Sequence, residues 1–353
     1  MKRIVTILIC IVSLFSLVAL TGCSSSTLQE SASPRTVTDM QGKEIFIPDT
    51  IDKYCILYSS AVPMCGMLDE GLAHMVMCPT LYADWTYRLF PDLDDHAITV
   101  DKRSVTAEQI IESGAQIVFW SSSTHAELVE SLESLNIACI NVAVSNADDL
   151  KQAMGIIADT FGTEYAKSQI AKFSATFDEY QQYATEHAAN IPENEKLSVL
   201  VLDGVDNTTG FGGGAYEPYW AGIVGLNYIY PSNDGADKVT LTMEQIYEFD
   251  PDIIILEGFF DEETVYADST WSALRAVQNN MFISNPSVLD TWSKPGPEDP
   301  LQYIWALSRF YPNYAGDIDV VAETISFYKE LYQYDMSEDE ANEMLAGHRI
   351  VFN

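Results

Sequence analysis

The sequence predicts an α/β protein built as two doubly wound lobes joined by a long rigid α-helix. Three observations carry the prediction. Short apolar runs alternate with helix-like stretches over residues 54–140. Two long helical patterns then cover residues 147–189. After these the alternation resumes, from the run Leu197-Ser-Val-Leu-Val-Leu202 onward.

The elements follow in chain order. Residues 36–48 read as two short strands around a turn at Gly42. Strands are expected at residues 54–58, 75–78, 97–100, 116–120 and 137–140, each a short apolar run. Helices are expected at residues 62–72, 107–113 and 124–135, with Ser104 or Thr106 capping the second and Glu108 adding favourable charge at its start. Short connections between strand and helix imply a parallel sheet with helices on both faces. Such sheets bind ligands at the loops past the C-terminal ends of their strands. Here those loops begin at Ser59, Pro79, Asp101 and Ser121.

Residues 147–160 and 164–189 are helical patterns broken at Gly162. Ile170, Phe173, Phe177 and Tyr180 recur at spacings of three and four, which marks one buried face. A helix of this length joining two lobes acts as a strut. The second half then repeats the first in outline, with strands at residues 197–202, 228–230, 250–256 and 281–283. A Gly-rich loop spans residues 210–214, residues 217–224 read as helical or irregular, and helices are expected at 243–247, 301–310 and 318–332. One echo supports two similar lobes. Ser104-Val-Thr-Ala-Glu-Gln-Ile-Ile-Glu and Val239-Thr-Leu-Thr-Met-Glu-Gln-Ile-Tyr-Glu each read as a capped short helix that leads into a buried strand. The expected organisation is a leader at 1–22, a tether at 23–35, an N-terminal lobe at 36–146, connecting helices at 147–192 and a C-terminal lobe at 193–353.

The leader has a basic start, Lys2-Arg3, an apolar run from Ile4 to Leu20, and small residues before Cys23. This is the pattern of a secretory signal peptide. Leu20-Thr-Gly-Cys23 resembles the lipobox of bacterial lipoproteins, which implies lipid (palmitate-type) attachment at Cys23. It also implies a membrane-anchored, extracytoplasmic location. The Ser-rich stretch that follows cannot bury enough surface to fold and reads as a flexible tether. With 18 basic against 52 acidic residues the net charge is −34, a surface that repels nucleic acid and anionic lipid. Cys55, Cys65, Cys78 and Cys139 remain as disulfide partners or as free buried thiols, and the sequence does not choose between these.

Lipobox, tether, the opening Val37-Thr-Asp-Met-Gln-Gly-Lys-Glu-Ile-Phe-Ile-Pro48, lobe, long helix, lobe, and Gly225-Leu-Asn227 after the Gly-rich loop together resemble a family. It is the substrate-binding lipoproteins of ABC importers for iron-siderophores, haem and cobalamin. The resemblance covers about residues 36–333. It implies capture of an iron chelate (siderophore or haem) or a corrinoid between the lobes, delivery to a permease, and no enzymatic activity or cofactor. It also implies one docking acid per lobe. The first would fall near Pro63, where no acid stands. The second would fall near Ala221, where Glu217 or Glu244 substitutes only loosely. A membrane-anchored sensor or structural lipoprotein that keeps the fold without docking is the alternative. Residues 338–353 match nothing in the resemblance.

The strand-end loops nominate the ligand contacts. In the first lobe these are Tyr58, Ser59, Tyr82, Trp85, Lys102, Arg103 and Trp120. In the second they are Asp203, Phe211, Tyr216, Tyr219, Trp220, Glu257, Phe259, Trp292 and Lys294. Aromatic rings suit planar ligands. Arg103 suits a carboxylate or anionic chelate, which it can hold through paired hydrogen bonds. The five His are scattered, without metal-site spacing. The 210–214 loop lacks the Lys-Ser/Thr ending of a phosphate-binding loop, and no Gly-x-Ser-x-Gly is present.

Overall fold

A computed structural model describes residues 35–348, apart from 82–83, 122–124, 207, 232–234, 259 and 261. Cys23, Tyr82 and Phe259 lie outside the described residues, as does the whole leader. The described residues form one compact unit. Among the described residues no helix is long and apolar enough to cross a membrane.

The first lobe opens with the antiparallel pair β1 (Thr36–Thr38) and β2 (Glu44–Phe46), turning at Gly42 with φ +77°. The lobe then runs β3 (Tyr54–Ile56), α1 (Ala61–Leu68), β4 (Met75–Pro79), α2 (Asp84–Leu89), α3 (Leu93–His96), β5 (Ile98–Val100), α4 (Ala107–Ser113), β6 (Ile117–Trp120), α5 (Ala126–Ser134) and β7 (Ala138–Asn141). Its five strands pair in parallel in the order β5-β4-β3-β6-β7, the doubly wound arrangement the alternation predicts. Cys55, Val118 and Cys139 sit in one row across β3, β6 and β7. All four described cysteines are free and buried.

The strut consists of α6 (Ala147–Phe161) and α7 (Glu164–Ala188). Gly162 ends α6 in the left-handed region, at φ +67°, where a Cβ would be strained. Thr163 then caps α7 by accepting from the Ala166 amide. Phe173, Phe177 and Tyr180 face inward, as their spacing predicts.

The second lobe contains β8 (Ser198–Leu202), β9 (Thr209–Phe211), α8 (Glu217–Ile223), β10 (Asn227–Tyr228), β11 (Lys238–Thr240), α9 (Met243–Phe249), β12 (Ile253–Leu256), α10 (Glu262–Ala267), α11 (Arg275–Gln278), β13 (Phe282–Ser284) and α12 (Asp299–Phe310). Its sheet is mixed, which the outline of the first lobe does not foretell. β8, β12 and β13 are parallel, but β9 runs antiparallel to β8 and β11 antiparallel to β9. Part of the Gly-rich loop is therefore strand β9. Gly210 permits this because a Cβ there would meet Pro231 at 2.7 Å.

Two further helices, α13 (Val320–Tyr332) and α14 (Glu338–Leu345), complete the chain. The Trp305 indole of α12 donates to the carbonyl of Leu345 at 2.9 Å, and Tyr332 donates to the Pro63 carbonyl of α1 at 3.3 Å. The C-terminal segment thus touches both lobes. A single apolar cluster runs from Ile56 and Phe119 in the first lobe, through Phe173 and Phe177 of α7, to Val201 and Ile255 in the second.

Candidate ligand-binding site

In the first lobe the loops past β3, β4 and β5 enclose a pocket of about 350 Å³, lined by Ser59, Pro79, Thr80, Val100, Asp101, Lys102 and Arg103. The turn after β5 is held from within. Asp101 accepts from the Arg103 amide at 3.0 Å through its side chain, and from the Ser104 amide at 2.9 Å through its carbonyl. His125, buried at the start of α5, places its Nε2 at 2.7 Å from the Lys102 carbonyl. The backbone is therefore fixed while the Lys102 and Arg103 side chains stay exposed, with no ion pair among the described residues. Most lysines elsewhere on this acidic chain, though not Lys53 or Lys172, close onto carboxylates, as Lys43 does on Glu133 at 2.5 Å. Two adjacent cations without an ion pair among the described residues, beside the Ser59 hydroxyl, form a set of donors for an anion, while the Thr80 hydroxyl donates to the Val100 carbonyl at 3.3 Å.

In the second lobe the same edge of the sheet carries carboxylates and two lysines. Asp203 follows β8 and Glu257 follows β12, while Ser293 and Lys294 belong to the loop after β13. Ser293 donates its hydroxyl to Glu257. Lys294 Nζ stands 3.6 Å from Glu257 Oε2 and 3.9 Å from Asp290. Lys238 Nζ lies 3.4 Å from Asp203 and 4.7 Å from the centre of the Phe211 ring. Glu217, the first residue of α8, is buried. Burial and the neighbouring Glu257 push its carboxyl up to about 8. Burial also raises Glu257, against the opposing pull of Lys294.

The aromatic nominees fare differently from the basic ones. Trp220 and Trp292 have no exposed surface, and Trp85 and Trp120 are buried. Trp85 packs edge-on against Tyr334 at 6.0 Å, and Trp120 sits in the apolar cluster of Cys55, Val118 and Cys139. Tyr216 is buried and donates to Asp299 at 2.5 Å, while Phe211 is buried beneath Lys238. The expected wall of aromatic rings is corrected accordingly. The strand-end loops run straight into helices, and the apolar faces of those helices draw the rings into the cores. Tyr58 is half-buried, Ser59 is exposed, and Tyr219 is exposed beside Tyr216. Glu217, weighed as a loose docking acid, is buried, whereas Glu244 is exposed.

Sequence reasoning missed Thr80 and Lys238. Thr80 lies in a loop the strand-end rule had marked, one residue past Pro79. Lys238 had no signal, because β11 carries no apolar run long enough to be read as a strand.

No protein-family model matches the chain. The chain is 21% identical to the molybdate-binding protein MolA of Haemophilus influenzae over 354 residues, covering 91% of this chain and 98% of the relative. The structure of MolA bound to molybdate superposes with a TM-score of 0.75 at 18% identity, covering 86% of this chain and 99% of that one. A periplasmic solute-binding protein from Veillonella parvula gives a TM-score of 0.76 at 20% identity, covering 88% and 97%. Helicobacter pylori CeuE with Ni(II) bound gives 0.68 at 15%, covering 86% and 98%. Over nearly all of its described length, this chain has the two-lobed fold of the periplasmic solute-binding proteins of ABC transporters.

Proposed function

We propose that the chain is the solute receptor of an ABC importer. It is anchored outside the membrane through Cys23, captures an anionic ligand between its lobes, and hands it unchanged to a permease. One observation carries the anionic class. Lys102 and Arg103 lie side by side and free of ion pairs among the described residues, in a pocket of a chain whose net charge is −34. On such a chain a pair of unmatched cations is retained against a field that favours neutralising it.

Within that class an anionic ferric chelate is the first candidate. The buried tryptophans weigh against haem or a corrinoid, since a macrocycle needs exposed faces to stack on. A bare tetrahedral oxyanion is the second candidate. The Ser59 hydroxyl beside the two cations favours it, as does the likeness to a molybdate-binding protein.

Calorimetric titration of the purified protein with molybdate, sulfate, ferric citrate, a ferric catecholate, haem and cobalamin tests the proposal. Saturable binding of at least one anion is expected. The Lys102→Met, Arg103→Met double variant should lose at least about tenfold in affinity, because each charge-assisted hydrogen bond is worth roughly 1.5–3 kcal/mol. Binding of cobalamin alone, or an undiminished affinity in the double variant, would sink the anionic reading.

A further inference from the structure

His125 occupies the N-cap of α5 and is buried, yet its side chain makes no capping hydrogen bond to the helix it begins. Helices α4, α6, α7, α9, α13 and α14 begin on Thr, Asn, Asp or Ser side chains that accept from their own first turn. Such a cap needs an acceptor near the first amides, and it stabilises the helix. At α5 that stabilisation is given up. The ring is directed to the loop after β5, where its Nε2 lies 2.7 Å from the Lys102 carbonyl. A carbonyl only accepts, so Nε2 carries the proton and donates it. The second lobe repeats the arrangement with the polarity reversed. Glu298, buried at the N-cap of α12, also makes no cap and accepts from the Leu289 and Asp290 amides of the loop after β13, at 3.2 and 3.0 Å. In both lobes a buried N-cap residue forgoes its own helix and holds a strand-end loop.

The turn that His125 reaches has little packing to place it. β5 is an edge strand with Ile98 and Thr99 exposed, and residues 101–104 are exposed as well. Apolar contacts therefore do not decide where Lys102 and Arg103 stand. Asp101 shapes the turn through the Arg103 and Ser104 amides, but those bonds lie inside the turn and do not tie it to the body of the lobe. The Thr80 amide holds the Val100 carbonyl at 2.9 Å, before the turn begins. β5 and β6 are separated in the sheet by β4 and β3, so strand pairing does not join their loops. His125, on the β6 side, makes that connection.

We propose that His125 is a positioning residue for anion capture. Its Nε2–H holds the Lys102 carbonyl, so the two side chains that meet the anion start from a backbone already in place. A loop ordered before binding loses less freedom when the ligand arrives, and affinity rises without any new contact to the ligand. The N–H donor is what the position requires. An apolar side chain of similar bulk fills the space but leaves the carbonyl to solvent. A glutamine amide reaches about as far as Nε2 and still donates.

The inference rests on the anionic reading above, and two readouts separate them. Molybdate, sulfate and ferric citrate are titrated calorimetrically into the purified wild type and into His125→Leu, His125→Gln and Leu132→Ala. His125→Leu is expected to weaken whichever of these anions the wild type binds by about fivefold, the worth of one hydrogen bond. His125→Gln keeps the donor and should stay close to the wild-type affinity. Leu132→Ala opens a cavity on the buried face of the same helix, and should lower Tm while leaving affinity unchanged. In the free protein, amide exchange of residues 101–105, followed by mass spectrometry, should quicken in His125→Leu and not in His125→Gln. His125→Asn, whose amide is shorter, replaces the leucine variant if that one does not fold. An undiminished affinity in His125→Leu, a glutamine variant as weak as the leucine one, or an equal loss in Leu132→Ala overturns the positioning role. Unchanged exchange overturns it too, whether or not an anion binds. A wild type that binds none of the three anions, with exchange that quickens as expected, overturns the anionic reading and leaves His125 as the anchor of the turn.

Discussion

Arg88 donates through Nε to the Tyr334 hydroxyl at 3.1 Å, across 246 residues of sequence. The bond ties α2 of the first lobe to the segment between α13 and α14. Tyr334 in turn donates to Glu340 at 2.9 Å, and its ring meets the edge of Trp85. Glu340 is itself the third helical residue of a capping box with Ser337. Phe90 and Tyr332 add a second aromatic contact at 6.2 Å. Tyr334→Ala removes the ring contact and the half-buried hydroxyl at the centre of this network. It should cost about 1–2 kcal/mol, read as a fall in Tm of roughly 2–4 °C by scanning calorimetry. An unchanged Tm would mean that the C-terminal segment contributes nothing to the fold.

Asp299 gives the fold a pH dependence of its own. Its side chain is fully buried and receives the hydroxyls of Tyr216 at 2.5 Å and Tyr303 at 2.6 Å. Burial pushes its carboxyl up to about 7, in spite of those donors. The folded protein therefore holds this proton to a higher pH than an unfolded aspartate, whose pKa is about 3.9. The stability this provides is complete below about pH 4 and is lost as pH rises through about 7. Asp299→Asn keeps an acceptor for both tyrosines and removes the titration. Its Tm should fall less than that of wild type between about pH 5 and about pH 8. Parallel curves for the two proteins would contradict the assignment.

The four thiols of the first lobe are expected to be inert in the native state. Burial pushes Cys55 up to about 11 and Cys78 and Cys139 up to about 12, and raises Cys65 as well. Since the thiolate is the reactive form, both access and ionisation are suppressed. An aromatic disulfide reagent should label none of the four in folded protein and all four in denaturant. Rapid labelling of even one without denaturant would place it at the surface.

The backbone was more legible than the site. Residues 107–113 were readable as a capped helix because a cap is a local device; of the two candidates, Ser104 and Thr106, the structure places Thr106 at the cap, with Gln109 completing a capping box. Gly162 was readable as a break because only the local backbone decides it. Trp220 and Trp292 misled because a ring after a strand fits a cleft or a core equally well. The choice depends on which face of α8, or of the loop before α12, is turned toward the core, a long-range fact. Helix α14 went unread because its polar face dominates, and only Ala341 and Met344 are buried. Lys102 and Arg103 stood out because basic residues are scarce here. Lys238 stayed hidden because its neighbour Asp203 is 35 residues away.

The capping boxes of α4 and α9 offer a test of whether the lobes fold as one. Thr106 accepts from the Gln109 amide at 3.3 Å in the first lobe, and Thr242 accepts from the Gln245 amide at 3.3 Å in the second. In each box the glutamine side chain accepts from the threonine amide at 2.9 Å. Thr106→Ala and Thr242→Ala should each cost about 1 kcal/mol. The sites share no partner, so the double variant should cost about the sum. The continuous apolar cluster through Phe173 and Phe177 makes both lobes part of one core. Each variant should therefore shift a single calorimetric transition by a similar amount and leave its shape intact. If the lobes were independent, Thr106→Ala would move only one of two transitions and Thr242→Ala the other. Two separable transitions would show that α7 works as a connector between two cores and does not itself form part of a shared one.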